Sequence, residues 1–306
     1  MFMQRKMLAG VMAPAATPFA ANGDVDAAAF MANARAHLAA GLSGIVVTGS
    51  TGEAALLSEE ERLVLVDAAR AVVSEDRWLV AGIGAESTRL TIARAHSAAR
   101  RGADMVLVVP PHYYGAGVLT PESLRAHYLR VADASPAPVL LYNIPKFTHL
   151  VLEPALVAEL ATHDNVLGMK DSAGDVERLA RYLESQGDDF TVLTGHAPTL
   201  ARAIALGVRG AILAVSLFAP SLALDVLRLA MELGEDAASE VQARLTPLGR
   251  DVAGALGPAG IKAAMEIVGL TGGEPRAPLL ALGALDRARV AEMLAAAGVP
   301  AATAAR

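Results

Sequence analysis

Residues 165–175 read NVLGMKDSAGD, a short apolar run that ends in one lysine and a polar turn. The run 166–169 predicts a buried strand, and the polar turn after it predicts a loop that leads into a helix. Lys170 therefore stands where a buried strand meets a loop. Burial disfavours the charged form of an amine, and the neutral amine is a nucleophile, so this position suits imine chemistry. The alternative is a lysine whose ammonium group reaches solvent from the strand end.

Short apolar runs followed by longer amphipathic stretches repeat along the chain. We predict helices between the strands, among them 26–40, 58–73, 88–101 and 121–134. Ser58 and Glu61 have the spacing of a capping box, and Pro121 stands at a first helical position. This alternation predicts βα units and a parallel sheet. The eight predicted strands are 10–13, 44–48, 79–83, 105–109, 139–142, 166–169, 191–194 and 211–215.

Eight βα units predict a closed (β/α)8 TIM barrel, with an open doubly wound sheet as the alternative. After residue 219 the alternation stops, and only helices are predicted, at 221–233, 237–256, 261–268 and 284–297. We therefore divide the chain into a barrel at residues 1–220 and a C-terminal helical extension at residues 221–306. A length of 306 residues fits one such barrel with an extension.

The composition is that of a globular protein with a large core, because 54% of residues are hydrophobic and 19% are charged. The net charge of −6 is spread without long basic runs, so we predict neither nucleic acid nor membrane as a partner. The chain has no cysteine, which excludes disulfides and thiolate nucleophiles. Its seven histidines are scattered, and we predict no metal site.

The N-terminal stretch resembles a secretory signal, because Arg5 and Lys6 precede the uncharged run 7–23. Pro14 and Pro18 interrupt this run, so we expect no cleaved signal. The later apolar run 211–224 is shorter than the ~18 residues that a membrane span requires. We expect a cytoplasmic protein.

In a TIM barrel the active site lies at the C-terminal ends of the strands, so the polar residues that follow the strands should converge. Only four lysines are available for imine chemistry, since 22 of the 26 basic residues are arginines, which stay protonated. Lys170 is the best placed, and Lys146, in a loop after a proline, is the rival. The polar residues that should converge with Lys170 are those at 49–53, 111–114, 142–143 and 195–196.

Three of these segments allow two interpretations. The glycine-bracketed turn 49–53 carries two hydroxyls and suits a carboxylate or phosphate, although an ordinary strand-to-helix turn has the same pattern. Tyr142, at a strand end, can move protons, but a lone tyrosine there is more often a core aromatic. Tyr113 lies in an aromatic loop of a kind that is more often an interface anchor than a catalyst, and the two roles are compatible here.

Four motifs together resemble the dihydrodipicolinate synthase and N-acetylneuraminate lyase family. They are GSTGE at 49–53, PHYY at 111–114, YNIP at 142–145 and GMKDS at 168–172, and the likeness extends over essentially the whole chain. The resemblance implies a (β/α)8 barrel with a C-terminal helical extension and class I aldolase chemistry on pyruvate. It implies no metal and no cofactor, because the lysine iminium itself withdraws the electrons.

The resemblance also assigns catalytic roles. Lys170 is the imine lysine, and Tyr142 is the general acid/base. Ser50 relays protons between Tyr142 and Tyr113, and Tyr113 reaches in from a neighbouring subunit.

Further positions match the family's binding residues. Ser50 and Thr51 hold the pyruvate carboxylate, while the backbones of Gly195 and Ile212 line the pyruvate pocket. The expected assembly is a homotetramer, built as a dimer of dimers with Tyr113 at the tight interface.

The second substrate, an aldehyde or 2-keto acid, is the hardest to assign. Where the synthase branch has an arginine for the acceptor carboxylate, this chain has Phe147, and the acidic residues of the sialic-acid lyases fall on Ala197 and Pro198. Segments 131–133, 168–175 and 272–278 look closest to 4-hydroxy-2-oxoglutarate aldolases, and we expect that reaction. Lys146 or His196 is left to bind a second carboxylate, and an acceptor with an apolar or neutral tail is the alternative.

Two other functions are weighed against it. Dihydrodipicolinate (4-hydroxy-tetrahydrodipicolinate) synthase is expected to be weak, because Phe147 cannot pair with a carboxylate. A barrel that binds a keto acid without turnover is less consistent with an intact set of lysine, tyrosine and hydroxyl groups.

Overall fold

The computed structural model of the protein describes residues 7–302. Eight parallel strands pair in chain order and close, with β1 beside β8, into a barrel. The predicted (β/α)8 fold is confirmed, and the open sheet was the wrong alternative. The strands are β1 Gly10–Pro14, β2 Gly44–Val47, β3 Trp78–Gly82, β4 Met105–Val108, β5 Val139–Asn143, β6 Val166–Asp171, β7 Thr191–Thr194 and β8 Gly210–Ile212.

Twelve α-helices follow the strands or form the C-terminal part of residues 7–302. Ser58 forms the predicted capping box with Glu61 at the start of one helix. Pro121 is the first residue of another helix, directly after its N-cap residue Thr120. The helices are α1 Ala27–Ala39, α2 Glu59–Arg70, α3 Thr88–Arg100, α4 Pro121–Ala134, α5 Pro145–Thr148, α6 Pro154–Leu160, α7 Val176–Leu183, α8 Leu200–Ala205, α9 Pro220–Leu233, α10 Glu235–Pro247, α11 Gly257–Ile267 and α12 Ala284–Ala296.

Two predicted strand ends were wrong by more than one residue. Lys170 lies within β6 rather than in the turn after it, because its backbone continues the ladder opposite Tyr142 on β5 and Leu193 on β7. At the eighth strand, pairing ends at Ile212, and Ala214–Leu217 forms a 3-10 helix instead. The apolar run 211–215 concealed this change, since hydrophobicity alone does not separate a strand from a buried helical turn.

The strand residues divide between two cores. One set of alternate side chains fills the barrel interior, and the other packs under the surrounding helices, as the period of two in a strand requires. The interior set includes Met12, Val46, Val80, Met105, Leu107, Leu140, Tyr142, Leu193 and Ile212.

The last part of the described chain is helical. Helix α9 contacts α8 and β1, and so it covers the barrel at the place of an eighth barrel helix. The division into a barrel and an extension between residues 220 and 221 stays a prediction. The predicted helix 237–256 is interrupted, because α10 ends at Pro247 and a π-helical segment, Leu248–Ala255, follows. Proline lacks the N–H that regular helical bonding needs, which accounts for the change at this point.

Across residues 7–302, no helix combines the length and apolar character that a membrane span needs. Arg5 and Lys6, on which the signal-like pattern depends, lie outside the described residues.

Candidate active site

Lys170 and Tyr142 form the centre of the site. They are register partners on β6 and β5, so their side chains leave the sheet on the same face. The Lys170 Nζ donates to the Tyr142 hydroxyl oxygen at 3.1 Å, and the two residues are only 6% and 4% exposed. An amine and a phenol within hydrogen-bonding distance, shielded from water, can transfer protons to and from each other.

Gly195, just after β7, makes room for the Lys170 side chain. A Cβ at this position would lie 2.7 Å from Lys170 Cε and 2.0 Å from Ser172 Oγ. Real Cβ contacts are never so short, so a larger residue here would displace the lysine. The structure thus gives this predicted pocket residue a steric role.

A buried amide–carboxylate pair fixes the strand ends beside the lysine. Asn143 Nδ2 donates to Asp171 Oδ1 at 2.6 Å, and Asn143 Oδ1 accepts from the Leu152 backbone N–H at 3.0 Å. Burial raises the pKa of Asp171, and the hydrogen bond from Asn143 opposes that rise. These contacts lock β5 against β6 at the level of Tyr142 and Lys170.

The turn after β2 is bounded by two residues with positive φ, Thr48 at 54° and Glu53 at 57°. A β-branched residue in this region is strained, and such strain concentrates at functional sites. Each bounding residue is anchored by its side chain, and Thr48 Oγ1 donates to the Gly82 carbonyl at 2.8 Å. Thr17 Oγ1 adds a bond to the Gly52 carbonyl at 2.7 Å.

The backbone of this turn has free donors. The N–H groups of Gly52, Glu53 and Ala54 point back to carbonyls of the same turn. Within the described chain the N–H groups of Ser50 and Thr51 donate to no protein acceptor. Two adjacent free amides with two hydroxyls form a nest of the kind that binds a carboxylate.

Glu53 connects the turn to the C-terminal part of the chain. Its carboxylate lies 2.6 Å from Lys262 Nζ on α11, and its other oxygen accepts from the Arg276 N–H at 2.7 Å. The side chains of Glu53 and Lys262 are 0% and 1% exposed. Sequence reasoning missed this pair, although the glutamate that ends the GSTGE motif was visible.

The described lysines differ in their surroundings. Lys262 is held by Glu53 and by the Glu274 carbonyl. Lys146 is exposed, and its Nζ donates to the Gly254 carbonyl. Lys6 lies outside the described residues. Lys170 is therefore the described lysine whose amine faces a buried tyrosine hydroxyl.

A cavity of about 150 Å³ lies over Lys170. It brings together eight of the predicted site residues, namely Ser50, Thr51, Tyr142, Phe147, Lys170, Gly195, His196 and Ile212. Part of the rest of its wall comes from the C-terminal extension, which sequence reasoning did not anticipate. These residues include Gly249, Ala253, Gly254, Gly257, Pro258 and Ile261.

Tyr113 is not brought into this cavity. It is 79% exposed and stacks edge-to-face on Tyr114, with ring centroids 5.3 Å apart. Its loop is held by Glu86, whose carboxylate accepts from the His112 and Tyr113 N–H groups at 2.9 Å. An open groove of about 900 Å³, lined in part by Tyr114, shares Tyr142 and Ser50 with this cavity.

His196 contributes a neutral ring to the cavity. Burial lowers the pKa of His196, and its Nδ1 lies 2.9 Å from Thr199 Oγ1. Residues 7–302 contain no group of three or more His, Cys, Asp or Glu side chains placed to hold a metal ion.

A model of the dihydrodipicolinate synthetase family matches residues 7–297. The chain belongs to this family. Membership in the dihydrodipicolinate synthetase family makes the protein a carbon–carbon lyase of the class I aldolase type, as the motifs predicted.

Relatives in the dihydrodipicolinate synthetase family align over almost the whole chain. The 4-hydroxy-tetrahydrodipicolinate synthase of Xanthomonas axonopodis pv. citri is 38% identical over 277 residues, which cover 90% of each chain. That of an Exiguobacterium species is 31% identical and covers 93% of this chain and 96% of its own.

Solved structures give the same result. The chloride-inhibited dihydrodipicolinate synthase of Acinetobacter baumannii, complexed with pyruvate, superposes with a TM-score of 0.90 at 30% identity, covering 96% of this chain and all of its own. YagE of Escherichia coli K12, also in complex with pyruvate, superposes with a TM-score of 0.88 at 28% identity, covering 96% and 99%.

Proposed function

We propose that the protein is a pyruvate-dependent Schiff-base aldolase in which Lys170 forms the imine. The observation that carries the proposal is the buried contact of 3.1 Å between Lys170 Nζ and the Tyr142 hydroxyl. The amine adds to the keto carbon of pyruvate and loses water, with Tyr142 donating the proton that the departing hydroxyl needs. The iminium then withdraws electrons, so a methyl proton leaves and an enamine forms.

The enamine carbon attacks the aldehyde of the second substrate. The new carbon–carbon bond takes the enamine electrons, the aldehyde oxygen becomes a hydroxyl, and water releases the product from Lys170. The free N–H groups of Ser50 and Thr51 support binding of the pyruvate carboxylate during these steps. Ser50 would relay protons from Tyr142 towards Tyr113 of a second copy of the chain.

The exposed Tyr113 and the open groove beside Ser50 and Tyr142 support that arrangement. A residue presented to solvent at one site can complete the site of another copy. The homotetramer and the cytoplasmic location stay predictions.

For the acceptor, the named relatives favour 4-hydroxy-tetrahydrodipicolinate synthase, the condensation of pyruvate with aspartate semialdehyde, over the aldolase reaction that we expected. Cleavage of 4-hydroxy-2-oxoglutarate is the second candidate. The observation in its favour is Phe147, which lines the cavity where the synthase branch has an arginine. Rates with the two substrates, measured on the same preparation, separate them.

Borohydride reduction in the presence of pyruvate tests the imine. Trapping should add mass to Lys170 and block tryptic cleavage there, so that the modified peptide spans residues 147–178. The Lys170→Met variant should gain no mass. Modification at Lys146 or Lys262, or none at all, would contradict the proposal.

Exchange of the pyruvate methyl protons in D₂O tests turnover against mere binding. Enamine formation should replace these protons with deuterium, whereas a barrel that only binds the keto acid gives no exchange.

A further inference from the structure

Two residues of the YNIP and GMKDS motifs have no part in the proposed chemistry. Asn143 follows Tyr142 on β5, Asp171 follows Lys170 on β6, and neither of them lines the cavity. Both are nevertheless buried, with Asn143 0% exposed and Asp171 2% exposed. Buried amide and carboxyl groups are costly unless their polar atoms are hydrogen-bonded, so the contacts of this pair indicate what it does.

Strand β6 contains one residue too many for a regular ladder with β5. Val139 of β5 pairs with Val166. The next residue of β5, Leu140, pairs with Gly168, which leaves Leu167 without a register partner on that strand. An extra residue of this kind is a β-bulge, and bulges beside active sites change the direction of a side chain. Beyond Gly168 the pairing is regular to the end of β6.

The bulge determines which face of the sheet carries Lys170. Val166 and Lys170 are an even number of positions apart, so in an unbroken strand their side chains would share a face. Instead, Val166 and Met169 belong to the core under the helices, while the Lys170 amine contacts Tyr142 in the barrel interior. Without the bulge Lys170 would point away from the cavity, because a shift of one residue moves each side chain to the other face.

The bond between Asn143 and Asp171 depends on the bulged register. Asn143 Nδ2 donates to Asp171 Oδ1 at 2.6 Å because the two residues are register partners. In a regular ladder Asn143 would lie opposite Lys170, and the buried carboxyl group of Asp171 would lose its amide donor. Asn143 Oδ1 also accepts from the Leu152 N–H at 3.0 Å, which ties the pair to the segment that leads into α6. The pair therefore favours the bulged register over the regular one.

We infer that Asn143 and Asp171 are positioning residues for the reaction, because their hydrogen bond holds β6 in the register that directs the Lys170 amine towards Tyr142. The inference rests on the proposed function and adds two residues that act through Lys170 without contacting the substrate. The reaction should then depend on the complementarity of the two side chains rather than on either of them alone.

An exchange of the two side chains tests the inference. Asn143→Asp removes the donor and places two carboxyl groups side by side. We expect the exchange of pyruvate methyl protons in D₂O, at saturating pyruvate, to slow by about tenfold to a hundredfold, the effect of a displacement of ~1 Å at a catalytic group. The double variant Asn143→Asp/Asp171→Asn restores a bond between an amide and a carboxylate. Its exchange rate should return to within about threefold of the wild type.

Asn165→Asp is the matched control. Asn165 lies directly before β6, on the other side of the bulge, and its Nδ2 donates to the carbonyls of Ala132 and Ser135 at 2.9 Å each. Urea unfolding should show that this variant is less stable, while its exchange rate at saturating pyruvate should equal that of the wild type. If Asn143→Asp does not fold, Asn143→Ala takes its place, since it removes the donor without adding a charge.

Three results would overturn the inference. The first is a wild-type exchange rate in the folded Asn143 variant. The second is a double variant that regains its stability but not its exchange rate, because the bond would then support only the fold. The third is an equal loss of rate in Asn165→Asp, which would assign the effect to general destabilisation. Failure of the wild type to form a borohydride-trapped imine at Lys170 would instead contradict the proposed function.

Discussion

The Lys170 amine and the Tyr142 hydroxyl meet because they are register partners on neighbouring strands. Their separation of 3.1 Å is therefore set by the spacing of the sheet rather than by a loop. The Lys170 Nζ also lies 4.2 Å from the Tyr142 ring centre, so the ring packs against the amine in addition to the hydroxyl contact. A variant that keeps the ring and removes the hydroxyl isolates proton transfer.

Tyr142→Phe is that variant. We expect kcat for condensation to fall by about a hundredfold or more, the range for loss of a general acid/base, while borohydride still traps pyruvate on Lys170 at a reduced rate. Tyr128→Phe is the control, because Tyr128 is another buried tyrosine whose hydroxyl bonds only the Val108 carbonyl, at 3.3 Å. An equal loss of kcat in both variants would assign the effect to packing.

Single residues also show what could be predicted of the site. Lys170, Tyr142 and the turn 49–53 were predictable, because barrel topology brings residues that end or follow strands to one place. The pair of Glu53 and Lys262 was not, since it joins residues far apart in sequence by burial, which no local pattern reveals. The part of the cavity wall formed by residues from Gly249 to Gly254 could not be predicted for the same reason.

Among the elements, the turn after β2 depends on a clamp from the C-terminal extension. Glu53 is held in its positive-φ conformation by Lys262 and by the Arg276 N–H, and Arg276 is itself paired with Glu61 on α2 at 2.6 Å. Burial lowers the pKa of Lys262, and Glu53 opposes that effect. We expect this clamp to position the amides of Ser50 and Thr51 for the pyruvate carboxylate.

Glu53→Gln tests the clamp. It leaves a buried cation without its counter-charge, which costs on the order of 3 kcal/mol of stability. We expect KM for pyruvate to rise about tenfold, equivalent to ~1.4 kcal/mol of binding, with a smaller change in kcat. The double variant Glu53→Gln/Lys262→Met should recover stability but keep the raised KM, which separates positioning from folding.

The control for the clamp is Asn33→Ala. Asn33 exchanges two hydrogen bonds, of 2.7 and 3.0 Å, with the Thr271 backbone and so also ties the extension to the barrel. It does not touch the turn. A KM for pyruvate that rises as much in Asn33→Ala as in Glu53→Gln would show that any loosening of the extension has this effect.

The elements differ in how well their ends could be predicted. Helix α4 was predicted to the residue because Thr120 and Pro121 mark its start, and seven strands were located by apolar runs with polar flanks. The eighth strand was extended too far, since the apolar run continues into a 3-10 helix. The π-helical segment has no sequence pattern beyond Pro247 and was read as ordinary helix.

At the scale of the whole molecule, buried histidines make stability depend on pH. His127, on α4, bonds Thr88 Oγ1 through Nδ1 at 2.9 Å, and its Nε2 is buried without a partner among the described residues. Burial lowers the pKa of His127 to about 4, against an opposing effect of Glu86. His37 has its pKa lowered in the same way.

The direction of this pH dependence follows from the linkage between proton binding and folding. Below pH 6.5 His127 of the unfolded chain binds a proton, whereas in the native state it binds one only near pH 4. The contribution of His127 to stability is therefore fully present above pH 6.5 and decreases as the pH is lowered. Between pH 7 and 5 we expect a loss of about 2 kcal/mol from this residue, at ~1.4 kcal/mol per pH unit. Urea unfolding at both pH values measures it.

His127→Gln should remove that part of the pH dependence. Thr88→Val is the control, because it removes the hydroxyl partner but leaves the buried imidazole, so its stability should drop while the pH dependence persists. An unchanged pH dependence in His127→Gln would refute the assignment.

The two walls of the cavity come from different parts of the chain, and this division has an evolutionary consequence. In the proposed reaction the strands carry the groups that activate the common three-carbon fragment, and the π-helical segment around Gly249 and Gly254, which lines the same cavity, would face the second substrate. Mutations in that segment can change which aldehydes react, while the catalytic groups on the strands are retained. A library randomised at residues 249, 253 and 254 would explore this freedom directly.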